Sequence, residues 1–535
     1  MTENPHTEPD TFTTELPVLN LIGDHLRRQA ELQPDHEFLV LGDLRLTYAR
    51  TRDIVDRTAR ALMAAGVGPG DRVAMITDPR PEFLIHFLAT TDIGAIWVGL
   101  NPKYTPGELD HVVGDAEPSM LFGLGEGAVD LLTELAARHP SVKRVVVMEG
   151  PVPDGCTGVE EFLAGADNID PVQLEARRAA VDPMDPAYLV YTSGSTGRPK
   201  GALLTHRGSN FCNVIGVERK GLSGRSIICN LPINHVGAIG DICGRTMTGG
   251  GTIFFQPRFS PGEMMRLIEA EGIEIIAGVP TMLQMCVNHP EFDRIDLSSV
   301  ELIAWGGAAM PADLLERLLA KTGAGECTTG YGMTETTGGV TYSGLTDSVE
   351  LLTTTVGKPD PRQPLRIWHP DGRVAGPGEA GEIQVKGDYT MAGYWRLPEA
   401  TAEAFTADGW LHTGDPAELR DDGYVRIVGR MSEMFKSGGY NVYPREVELA
   451  LEEHPLVDMA AVISIPDARF QEVGVAYVMG SGELDPDELR DFARQRLANY
   501  KIPKQIIVLE SLPMLPIGKV DKKALRNRHP EGSPS

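Results

Sequence analysis

The stretch Tyr191-Thr192-Ser193-Gly194-Ser195-Thr196-Gly197-Arg198-Pro199-Lys200-Gly201 combines glycines, hydroxyl side chains and a lysine. Glycines let backbone N–H groups turn inward on an anion, hydroxyls donate further hydrogen bonds, and Lys200 adds a point charge. Apolar residues flank the stretch on both sides, from Ala187 to Val190 and from Ala202 to Leu204. The sequence therefore predicts a phosphate-binding loop between two strands.

This loop is not a Walker loop. Pro199 disfavours the helix that must follow a Walker loop at once, and Arg-Pro-Lys follows the second glycine where Lys-Ser or Lys-Thr is required. An ordinary Gly/Ser hairpin turn is the alternative interpretation. The specific order of glycines, hydroxyls and lysine over the whole stretch argues against a simple turn.

Length and charge exclude several classes of protein. A chain of 535 residues has room for two to four domains at ~150 residues each. The hydrophobic fraction of 42% and charged fraction of 23% are those of an ordinary folded protein. Forty-nine basic and 75 acidic residues give a net charge of -26, which repels nucleic acid and anionic membranes.

Cysteine spacing and apolar patterning indicate the cellular setting. The six cysteines are scattered without metal-binding spacing, so we expect reduced core thiols. The first twenty residues lack the basic start and apolar run of a signal peptide. No uninterrupted apolar stretch approaches the ~20 residues that span a bilayer. We therefore expect a cytoplasmic protein without integral membrane association.

Short apolar runs alternate with helical patterns along most of the chain, which predicts a layered α/β core. The predicted helices are 57–65, 81–93 and 261–271, and the predicted strands are 72–76, 95–99, 252–255, 273–278 and 301–305. Near residue 430 the pattern changes to a second, α+β unit of about 100 residues. In this unit we expect helices at 442–453 and 487–498 and strands at 459–465, 473–479 and 505–509.

Further motifs follow the loop in order: Trp305-Gly306-Gly307-Ala308, Tyr331-Gly332-Met333-Thr334-Glu335, Gly409-Trp410-Leu411-His412-Thr413-Gly414-Asp415, Gly429-Arg430 and Pro516-Ile517-Gly518-Lys519. Together they resemble the adenylate-forming superfamily of acyl-CoA synthetases, peptide-synthetase adenylation domains and beetle luciferases, over nearly the whole chain. The resemblance implies an α/β fold. A large N-terminal domain of several subdomains, with layered β-sheets and helices, would span residues 1–429, followed by a hinge at 430–432 and a small mobile α+β lid at 433–535.

The resemblance also implies where ATP and Mg²⁺ bind. The loop would hold the β- and γ-phosphates through Thr192, Ser193, Gly194, Ser195, Thr196, Gly197 and Lys200. Thr334 would bond the α-phosphate, while Glu335 and a hydroxyl such as Thr196 would hold Mg²⁺. These groups would neutralise the anions that meet when a carboxylate attacks the α-phosphorus of ATP.

Other motif residues would bind the nucleoside. Asp415 would accept hydrogen bonds from both ribose hydroxyls, because a carboxylate offers two acceptor oxygens. Tyr331 and Gly332 would lie against adenine opposite Gly306, Gly307 and Ala308, where glycine lets the backbone approach a flat ring closely. Arg430 would bond the ribose or a phosphate. For Trp305, packing in the core and contact with the ligand both stay open.

Lys519 is the predicted catalytic lysine. By resemblance it would enter the site on a loop of the lid bounded by Pro516 and Gly518. There it would bridge the substrate carboxylate and the α-phosphate while charge redistributes. A solvated surface lysine is the ordinary alternative, but the surrounding motif favours the catalytic interpretation.

The acid is expected to bind near His235. In Leu231-Pro232-Ile233-Asn234-His235-Val236-Gly237, His235 matches the aromatic-His pair that gates the acyl pocket in coumarate:CoA and benzoate:CoA ligases, whereas Asn234 departs from it. An Asp that would pair an amino-acid ammonium is missing just upstream. Glycines at 237, 240, 306, 338 and 339 would leave volume for an aryl, cinnamic-type or medium- to long-chain acid.

Coenzyme A is the expected acceptor. The segment from Met431 to Glu448 resembles the hinge and thioester-forming loop of the ligases, with Lys436, Gly438 and Gly439 as coenzyme A contacts. Ser432 departs from the Asp or Lys usual at the hinge. We expect no carrier domain after the lid. The partners predicted are thus a small carboxylic acid, ATP and coenzyme A, for a monomer or homodimer.

Two alternatives stay open at this point. An enzyme of the same fold could adenylate a different oxyanion, as ATP-dependent diazotases do with nitrite, and the unusual Asn234 and Ser432 allow this. A non-catalytic nucleotide-binding scaffold is the other alternative. The intact motif residues Thr334, Glu335 and Asp415 argue against a scaffold.

Overall fold

A computed structural model of the chain describes residues 17–124, 127–193, 199–429, 433, 435–437, 440–442, 444–467, 470–482, 484–497, 499–515 and 520–528. Its strands in the N-terminal part are β1 (Glu37–Leu41), β2 (Leu44–Thr47), β3 (Arg72–Ile76), β4 (Ile96–Leu100), β5 (Met120–Gly123), β6 (Arg144–Val147), β7 (Thr157–Gly158), β8 (Pro186–Ser193), β9 (Pro199–Thr205), β10 (Ile227–Cys229), β11 (Ile253–Phe255), β12 (Ile275–Gly278), β13 (Leu302–Trp305) and β14 (Glu326–Thr328).

The strands that follow are β15 (Gly332–Met333), β16 (Gly338–Gly339), β17 (Thr341–Tyr342), β18 (Lys358–Pro359), β19 (Leu365–His369), β20 (Arg373–Val374), β21 (Ala380–Val385), β22 (Gly393–Tyr394), β23 (Leu411–Leu419), β24 (Val425–Ile427), β25 (Phe435–Ser437), β26 (Tyr440–Val442), β27 (Val457–Asp467), β28 (Gln471–Gly480) and β29 (Gln505–Val508).

The α-helices are α1 (Gly23–Leu32), α2 (Tyr48–Ala64), α3 (Pro81–Asp92), α4 (Pro106–Ala116), α5 (Ala128–Arg138), α6 (Val159–Ala164), α7 (Pro171–Ala179), α8 (His206–Arg219), α9 (Arg245–Gly249), α10 (Pro261–Glu271), α11 (Pro280–Val287), α12 (Ala312–Thr322), α13 (Val349–Thr354), α14 (Pro398–Ala404), α15 (Pro444–Glu452), α16 (Pro486–Arg494) and α17 (Lys522–Asn527). A π-helix over Gly237–Gly244 leads directly into α9. Helices that begin at a proline use its preset φ at a position where no N–H is needed.

Two largely parallel sheets form the centre of the N-terminal part. One has the strand order β22-β9-β8-β4-β3-β5-β6-β7, and the other has the order β14-β13-β12-β10-β11-β1-β2. Helices cover these sheets, as expected where parallel strands are buried on both faces. The carboxyl ends of parallel strands are where ligands bind in such sheets, and β13 ends directly before Gly306.

A third sheet is antiparallel, with the order β20-β19-β21-β23-β24, and its longest strand, β23, carries Asp415. Two short pairs, β15 with β16 and β17 with β18, follow β14 along the chain. The motif from Tyr331 to Glu335 therefore lies at a tight hairpin between the second sheet and the third.

The C-terminal part is a small α+β domain. Its sheet has the order β26-β25-β28-β27, with β29 added parallel to β28. An apolar core of its own includes Val447, Leu451, Val462 and Ala476. This confirms the α+β unit that the change of sequence pattern predicts.

Most predicted elements match the structure closely. The strand predicted at 72–76 and the helix predicted at 261–271 coincide with β3 and α10. The helix predicted from residue 442 is wrong at its start, because Val442 ends β26 and α15 begins only at Pro444. The helix predicted from residue 57 begins earlier, at Tyr48, where the Thr47 hydroxyl caps it by accepting from the Arg50 N–H.

The cysteines agree with the expectation of reduced thiols. All six cysteines are free thiols, and Cys156 is the one that is not fully buried. Among the described residues, no helix is long and apolar enough to cross a membrane.

Candidate active site

The predicted phosphate loop lies between two antiparallel strands. β8 and β9 pair along their length, and the register reaches Thr192 opposite Lys200 and Ser193 opposite Pro199. The prediction that the loop joins two strands is therefore confirmed. Gly194, Ser195, Thr196 and Gly197, together with the side chain of Ser193, lie outside the described residues.

A buried carboxylate lies beside this hairpin. Glu335 is 6% exposed, and its Oε1 accepts from Thr192 Oγ1 at 3.3 Å and from the Tyr394 hydroxyl at 2.9 Å. Lys200 Nζ lies 5.3 Å from the centroid of the Tyr394 ring. The structure thus brings together three predicted residues, Thr192, Lys200 and Glu335, with a fourth that the sequence did not indicate.

Tyr394 is that fourth residue. It lies on β22, which pairs with Ala202 and Leu203 of β9 and so carries the tyrosine to the loop. Burial and the neighbouring Glu335 carboxylate raise the pKa of Tyr394 above its ordinary value, so the phenol stays a hydrogen-bond donor. A tyrosine after a glycine in a two-residue strand has no distinctive sequence signal, which explains why it was missed.

Thr334 and Glu335 are positioned by a tight, strained turn. Residues Thr334–Thr336 form one 3-10 turn, closed by the Thr337 N–H donating to the Thr334 carbonyl at 2.9 Å. Thr337 has φ +57, a conformation that non-glycine residues rarely adopt. Its hydroxyl donates to the Tyr389 carbonyl at 2.7 Å, which holds the turn in place. Such strain is common at functional sites.

The two predicted nucleoside-binding side chains contact each other. The Tyr331 hydroxyl donates to Asp415 Oδ2 at 2.6 Å. Asp415 follows Gly414, whose φ of +71 suits glycine, and the Asp415 N–H donates to Thr413 Oγ1 at 3.2 Å. Each carboxylate oxygen can accept two hydrogen bonds, and the Tyr331 hydroxyl uses one of these places on Oδ2.

The segment after β13 offers open space. A Cβ added to Gly306 would meet no atom within 4 Å, and one added to Gly307, at φ +78, would meet only Val279 Cγ1 at 3.8 Å. Packing therefore does not explain Gly306, whereas close approach of a flat ligand would. Ala308 is exposed beside them. Trp305 is 4% exposed and belongs to the apolar core, which decides its role in favour of packing.

Gly332 has a packing reason of its own. A Cβ at this position would lie 2.0 Å from the Gly338 carbonyl oxygen, because β15 and β16 pair closely there. Any side chain at Gly332 would break this hairpin. Backbone pairing thus gives Gly332 a structural reason, and its contact with adenine stays a prediction.

His235 is exposed and lies two residues before the π-helix. Its Nδ1 accepts from the Gly237 N–H at 3.0 Å, and its carbonyl accepts from the N–H groups of Ala238 and Ile239. Since Nδ1 acts as an acceptor, the neutral ring carries its proton on Nε2. His235 therefore presents an N–H donor, as a gate beside a carboxylate or carbonyl would need.

The unusual Asn234 has a partner outside its own loop. Its Nδ2 donates to the Tyr104 hydroxyl at 2.7 Å, which ties the loop to the segment after β4. Tyr104 was not singled out in the sequence. The departure from an aromatic residue is thus explained by a hydrogen bond between two loops.

The glycines predicted to line the acyl pocket differ in how much space surrounds them. A Cβ at Gly240 would make only ordinary contacts, with the nearest atom at 3.7 Å. At Gly237 the space is taken by the His235 ring, at Gly339 by Tyr342, and at Gly338 by Asp241 and Arg245. The expectation of free volume at all five positions is therefore wrong for these three, because neighbouring side chains fill the space.

Several predicted residues cannot be placed. Arg430, Gly438, Gly439 and Lys519 lie outside the described residues, and so does the side chain of Lys436. The backbone of Lys436 is in β25, opposite Asn441 of β26. Met514 and Val520, on either side of Lys519 in the sequence, form an antiparallel bridge.

Lys522, three residues after Lys519, anchors helix α17. Its Nζ lies 2.7 Å from Glu448 Oε1, and it also pairs with Glu433. The charges of Lys522 and Arg445 lower the pKa of Glu448 in spite of its burial. Lys522 therefore ties α17 to α15 and to the residue that directly follows the predicted hinge.

Sequence comparison agrees with this arrangement, and the chain belongs to the AMP-binding enzyme family. The family model for the AMP-binding enzyme matches residues 26–395, and the model for the AMP-binding enzyme C-terminal domain matches residues 446–519. A crystal structure of ATP-bound MatB from Rhodopseudomonas palustris is similar, with a TM-score of 0.81 and 29% identity over 95% of this chain and 99% of that one.

Individual relatives indicate which activity within this family the chain has. The chain is 38% identical over 510 residues to a feruloyl-CoA synthase of Amycolatopsis, covering 95% of this chain and 99% of that protein. It is 32% identical over 507 residues to a medium/long-chain-fatty-acid–CoA ligase of Mycobacterium tuberculosis, covering 92% of this chain and 88% of the relative. The chain is thus an AMP-forming acid:CoA ligase, which activates a carboxylic acid with ATP and transfers the acyl group to coenzyme A. These relatives favour neither the diazotase nor the scaffold alternative.

Proposed function

We propose that the acid is a cinnamic-type acid, with an aromatic ring joined to the carboxylate by a short linker. The observation that carries this proposal is Gly240 in the π-helix that follows His235, where an added methyl group would make only ordinary contacts. Missing side chains at such positions suit a flat, rigid group. The feruloyl-CoA synthase at 38% identity supports the same class.

We further propose roles for the polar residues. Thr192 and Lys200 bind the β- and γ-phosphates of ATP with the rest of the loop, Thr334 binds the α-phosphate, and Tyr331 and Asp415 bind the nucleoside. The hydrogen bonds that join Thr192 to Glu335 and Tyr331 to Asp415 support these roles, because they orient the groups before ATP arrives.

Mg²⁺ is proposed to bind at Glu335. This metal prefers oxygen ligands and keeps several waters, so one or two carboxylates beside the phosphates suffice. The buried Glu335 carboxylate, of which one oxygen accepts from Thr192 and Tyr394, fits that requirement. No larger cluster of metal-ligating side chains occurs within the described ranges. The ion would neutralise charge on the phosphates of ATP.

The C-terminal residues are assigned to two different steps. Lys519 clamps the carboxylate and the α-phosphate during adenylation, and Lys436 with Gly438 and Gly439 contacts coenzyme A during transfer. The lid over 433–535 would turn about a hinge at 430–432 between these steps. The anchoring of α17 by Lys522 supports a lid that moves as one body.

Pyrophosphate release measured with aryl, cinnamic and fatty acids, with and without coenzyme A, tests the proposed acid class. We expect cinnamic acids to give the highest kcat/KM, and thioester to form only with coenzyme A present. Nitrite with an aryl amine serves as the negative control. Higher turnover of a fatty acid than of any cinnamic acid would refute the proposed class.

Adenylate formation and thioester formation, measured separately, test the roles proposed for the residues of the lid. Lys519→Ala should abolish adenylate formation but leave thioester formation from a synthetic acyl-adenylate largely intact, because the lysine serves only the first step. Lys523→Ala, which alters an exposed lysine of α17, is the matched control. If Lys519→Ala loses both half-reactions equally while remaining folded, the assigned role is wrong.

A further inference from the structure

Helix α4 packs against one face of the hairpin that β8 and β9 form. Tyr191 of β8 shares an apolar cluster with four side chains of this helix: Leu109, Val112, Val113 and Ala116. Successive side chains of a strand point to opposite faces, so Thr192 points away from α4. There its hydroxyl bonds to Glu335. The helix and the Glu335 carboxylate therefore lie on opposite faces of β8.

A first polar contact joins α4 to the residue before Thr192. The Tyr191 hydroxyl donates to Asp115 Oδ2 at 2.7 Å. Burial and the Asp115 carboxylate raise the pKa of the Tyr191 phenol, so the phenol keeps its proton and stays a donor. This hydrogen bond between helix and strand fixes the end of β8 that leads into the phosphate loop.

A second contact holds the other strand of the hairpin. His111, one helical turn before Asp115, has its Nε2 3.0 Å from the Pro199 carbonyl oxygen. A carbonyl oxygen only accepts, so Nε2 carries the proton and donates. Pro199 directly precedes Lys200. The same helix thus fixes the start of β9.

A third contact reaches the strand beside β9. Trp395 Nε1 donates to the Asp115 carbonyl at 3.0 Å, and the Trp395 N–H donates to the Gly201 carbonyl at 2.7 Å. Trp395 directly follows Tyr394, whose hydroxyl bonds to Glu335. Asp115 therefore uses its side chain for one element of the site and its backbone for another.

The three contacts share one arrangement. The residues that α4 holds are Tyr191, Pro199 and Trp395. Each is the sequence neighbour of a residue at the candidate site, in the same order Thr192, Lys200 and Tyr394. The apolar cluster already packs the helix against the sheet, so the hydrogen bonds add a defined position to that packing.

The helix is itself fixed at both ends. At its start, the Glu108 N–H donates to Thr105 Oγ1 at 3.3 Å, and the Thr105 N–H donates to Glu108 Oε2 at 2.7 Å. At its end, Arg72 donates to the carbonyls of Ala116 and Glu117 at 2.7 and 2.9 Å. A cation at this end also complements the helix dipole. α4 is therefore a firm support for the hairpin.

We propose that Asp115 and His111 are positioning residues for the binding of the β- and γ-phosphates of ATP. This inference rests on the proposed role of the phosphate loop and extends it to a helix outside the motif. Neither residue touches ATP. Both hold the hairpin from its far face, so that Thr192 and Lys200 are in place before ATP arrives. Groups fixed in advance need no reorganisation when charge develops, and small displacements of such groups are costly.

The test compares two nucleotides that differ in the phosphates concerned. AMP has only the α-phosphate, whereas the non-hydrolysable analogue α,β-methylene-ATP has all three. We expect Asp115→Ala and His111→Leu each to raise the Kd of the analogue roughly 10-fold and to leave the Kd of AMP unchanged, measured by titration calorimetry. Thioester formation from a synthetic acyl-adenylate should keep the parent rate, because that step uses neither the β- nor the γ-phosphate.

Conservative and control variants separate positioning from a structural defect. His111→Gln keeps a donor and Asp115→Asn keeps an acceptor, so both should retain most of the affinity for the analogue. Asp110→Ala alters the same helix but removes pairs with Arg138 and His139, and it should bind both nucleotides like the parent. Equal weakening of AMP and the analogue by Asp115→Ala and His111→Leu would be a structural defect and would overturn the inference.

A double-mutant cycle checks that Asp115 acts through Tyr191. Tyr191→Phe removes the same hydrogen bond from its other end and keeps the apolar ring. Its effect on the Kd of the analogue should therefore not add to that of Asp115→Ala. Fully additive effects would overturn the role assigned to Asp115.

Failure of the inference and failure of the proposed function give different results. Lys200→Met removes a proposed phosphate contact itself and should weaken binding of the analogue more than either positioning variant does. If it has this effect while Asp115→Ala and His111→Leu bind the analogue like the parent, only this inference is overturned. If Lys200→Met leaves binding of the analogue unchanged, the proposed phosphate contact is wrong and this inference fails with it.

Discussion

The nucleotide side and the acyl side of the site are built in different ways. On the nucleotide side, side chains from distant parts of the chain bond directly to one another, as Thr192 does to Glu335 and Tyr331 to Asp415. On the proposed acyl side, the π-helix after His235 contributes small residues, among them Gly240, where an added Cβ would meet no atom closer than 3.7 Å. Fixed polar groups suit ATP, which is the same in every reaction. On the acyl side, the absence of side chains shapes the pocket for one particular acid. The first side should therefore control rate, and the second should control choice of acid.

Low pH should inactivate the nucleotide side and the acyl side together, because both depend on the same hydrophobic core. Burial lowers the pKa of His25, His86 and His206 to about 4, against ~6.5 in an unfolded chain. The stabilisation is complete above pH ~6.5 and is lost as the pH falls towards 4, since the unfolded chain takes up protons first. We expect urea unfolding to show a loss of roughly 3 kcal/mol per histidine over this range.

A histidine variant tests whether the buried histidines cause this loss of stability. His25→Leu should unfold with a weaker dependence on pH between 6.5 and 4 than the parent, because one titrating group is removed. Activity towards every acid should fall in parallel as the pH is lowered. If activity towards one acid survived where activity towards another was lost, the two sides would not share a common core.

Glu335→Gln should have the largest effect among the site variants. The substitution removes the charge of a buried carboxylate that Thr192 and Tyr394 hold in place. We expect kcat for pyrophosphate release to fall by roughly 100- to 1,000-fold with every acid tested. Glu350→Gln, at an exposed position in the first turn of α13, is the control and should be unchanged. A change in the ranking of the acids would contradict the division between the two sides.

Tyr394→Phe should have a smaller effect of the same kind. It deletes one hydrogen bond to a charged group, which is worth roughly 1.5 to 3 kcal/mol, or about 10- to 100-fold in rate. Tyr424→Phe removes a similar bond to Asp347, at 2.8 Å, elsewhere in the protein. This control should keep the parent rate. Equal losses in both variants would mean that Tyr394 has no special role at the site.

Gly240→Ala should change the choice of acid while leaving the chemistry intact. The added methyl makes only ordinary contacts within the protein, so the fold should be preserved. We expect kcat/KM for a bulky acid to fall roughly 10-fold relative to a small one, with the KM for ATP unchanged. Gly325→Ala, at an exposed position with nothing within 4 Å, is the matched control. An unchanged acid profile would place the acyl pocket elsewhere.

Much of the fold was predictable because local signals agree with it. The strand 72–76 and the helix 261–271 each carry a clear apolar pattern bounded by glycine or proline, and both occur as predicted. Val442 was assigned to a helix that begins only at Pro444, because an apolar residue before a proline suits a strand end equally well. Here the pairing of Val442 with Phe435 in a hairpin decides for the strand.

The site was predictable where a motif carries the chemistry, and only in part elsewhere. Thr192, Lys200 and Glu335 were identified by their motifs, and the structure brings them together. Tyr394 was missed, because it reaches the site through tertiary contacts that leave no local sequence signal. The crowding at Gly338 was missed for the same reason.

The central claim is that the nucleotide side controls the rate and the acyl side controls the choice of acid. A double-mutant cycle between Tyr394→Phe and Gly240→Ala tests this claim most directly. The measurement is acid-dependent exchange of radiolabelled pyrophosphate into ATP, with a bulky and a small acid, for the parent, both single variants and the double variant. We predict that the two effects add within about 0.5 kcal/mol, and that Tyr394→Phe lowers exchange by the same factor for both acids. A coupling energy well above that value, or a change in acid ratio from Tyr394→Phe alone, would contradict the account.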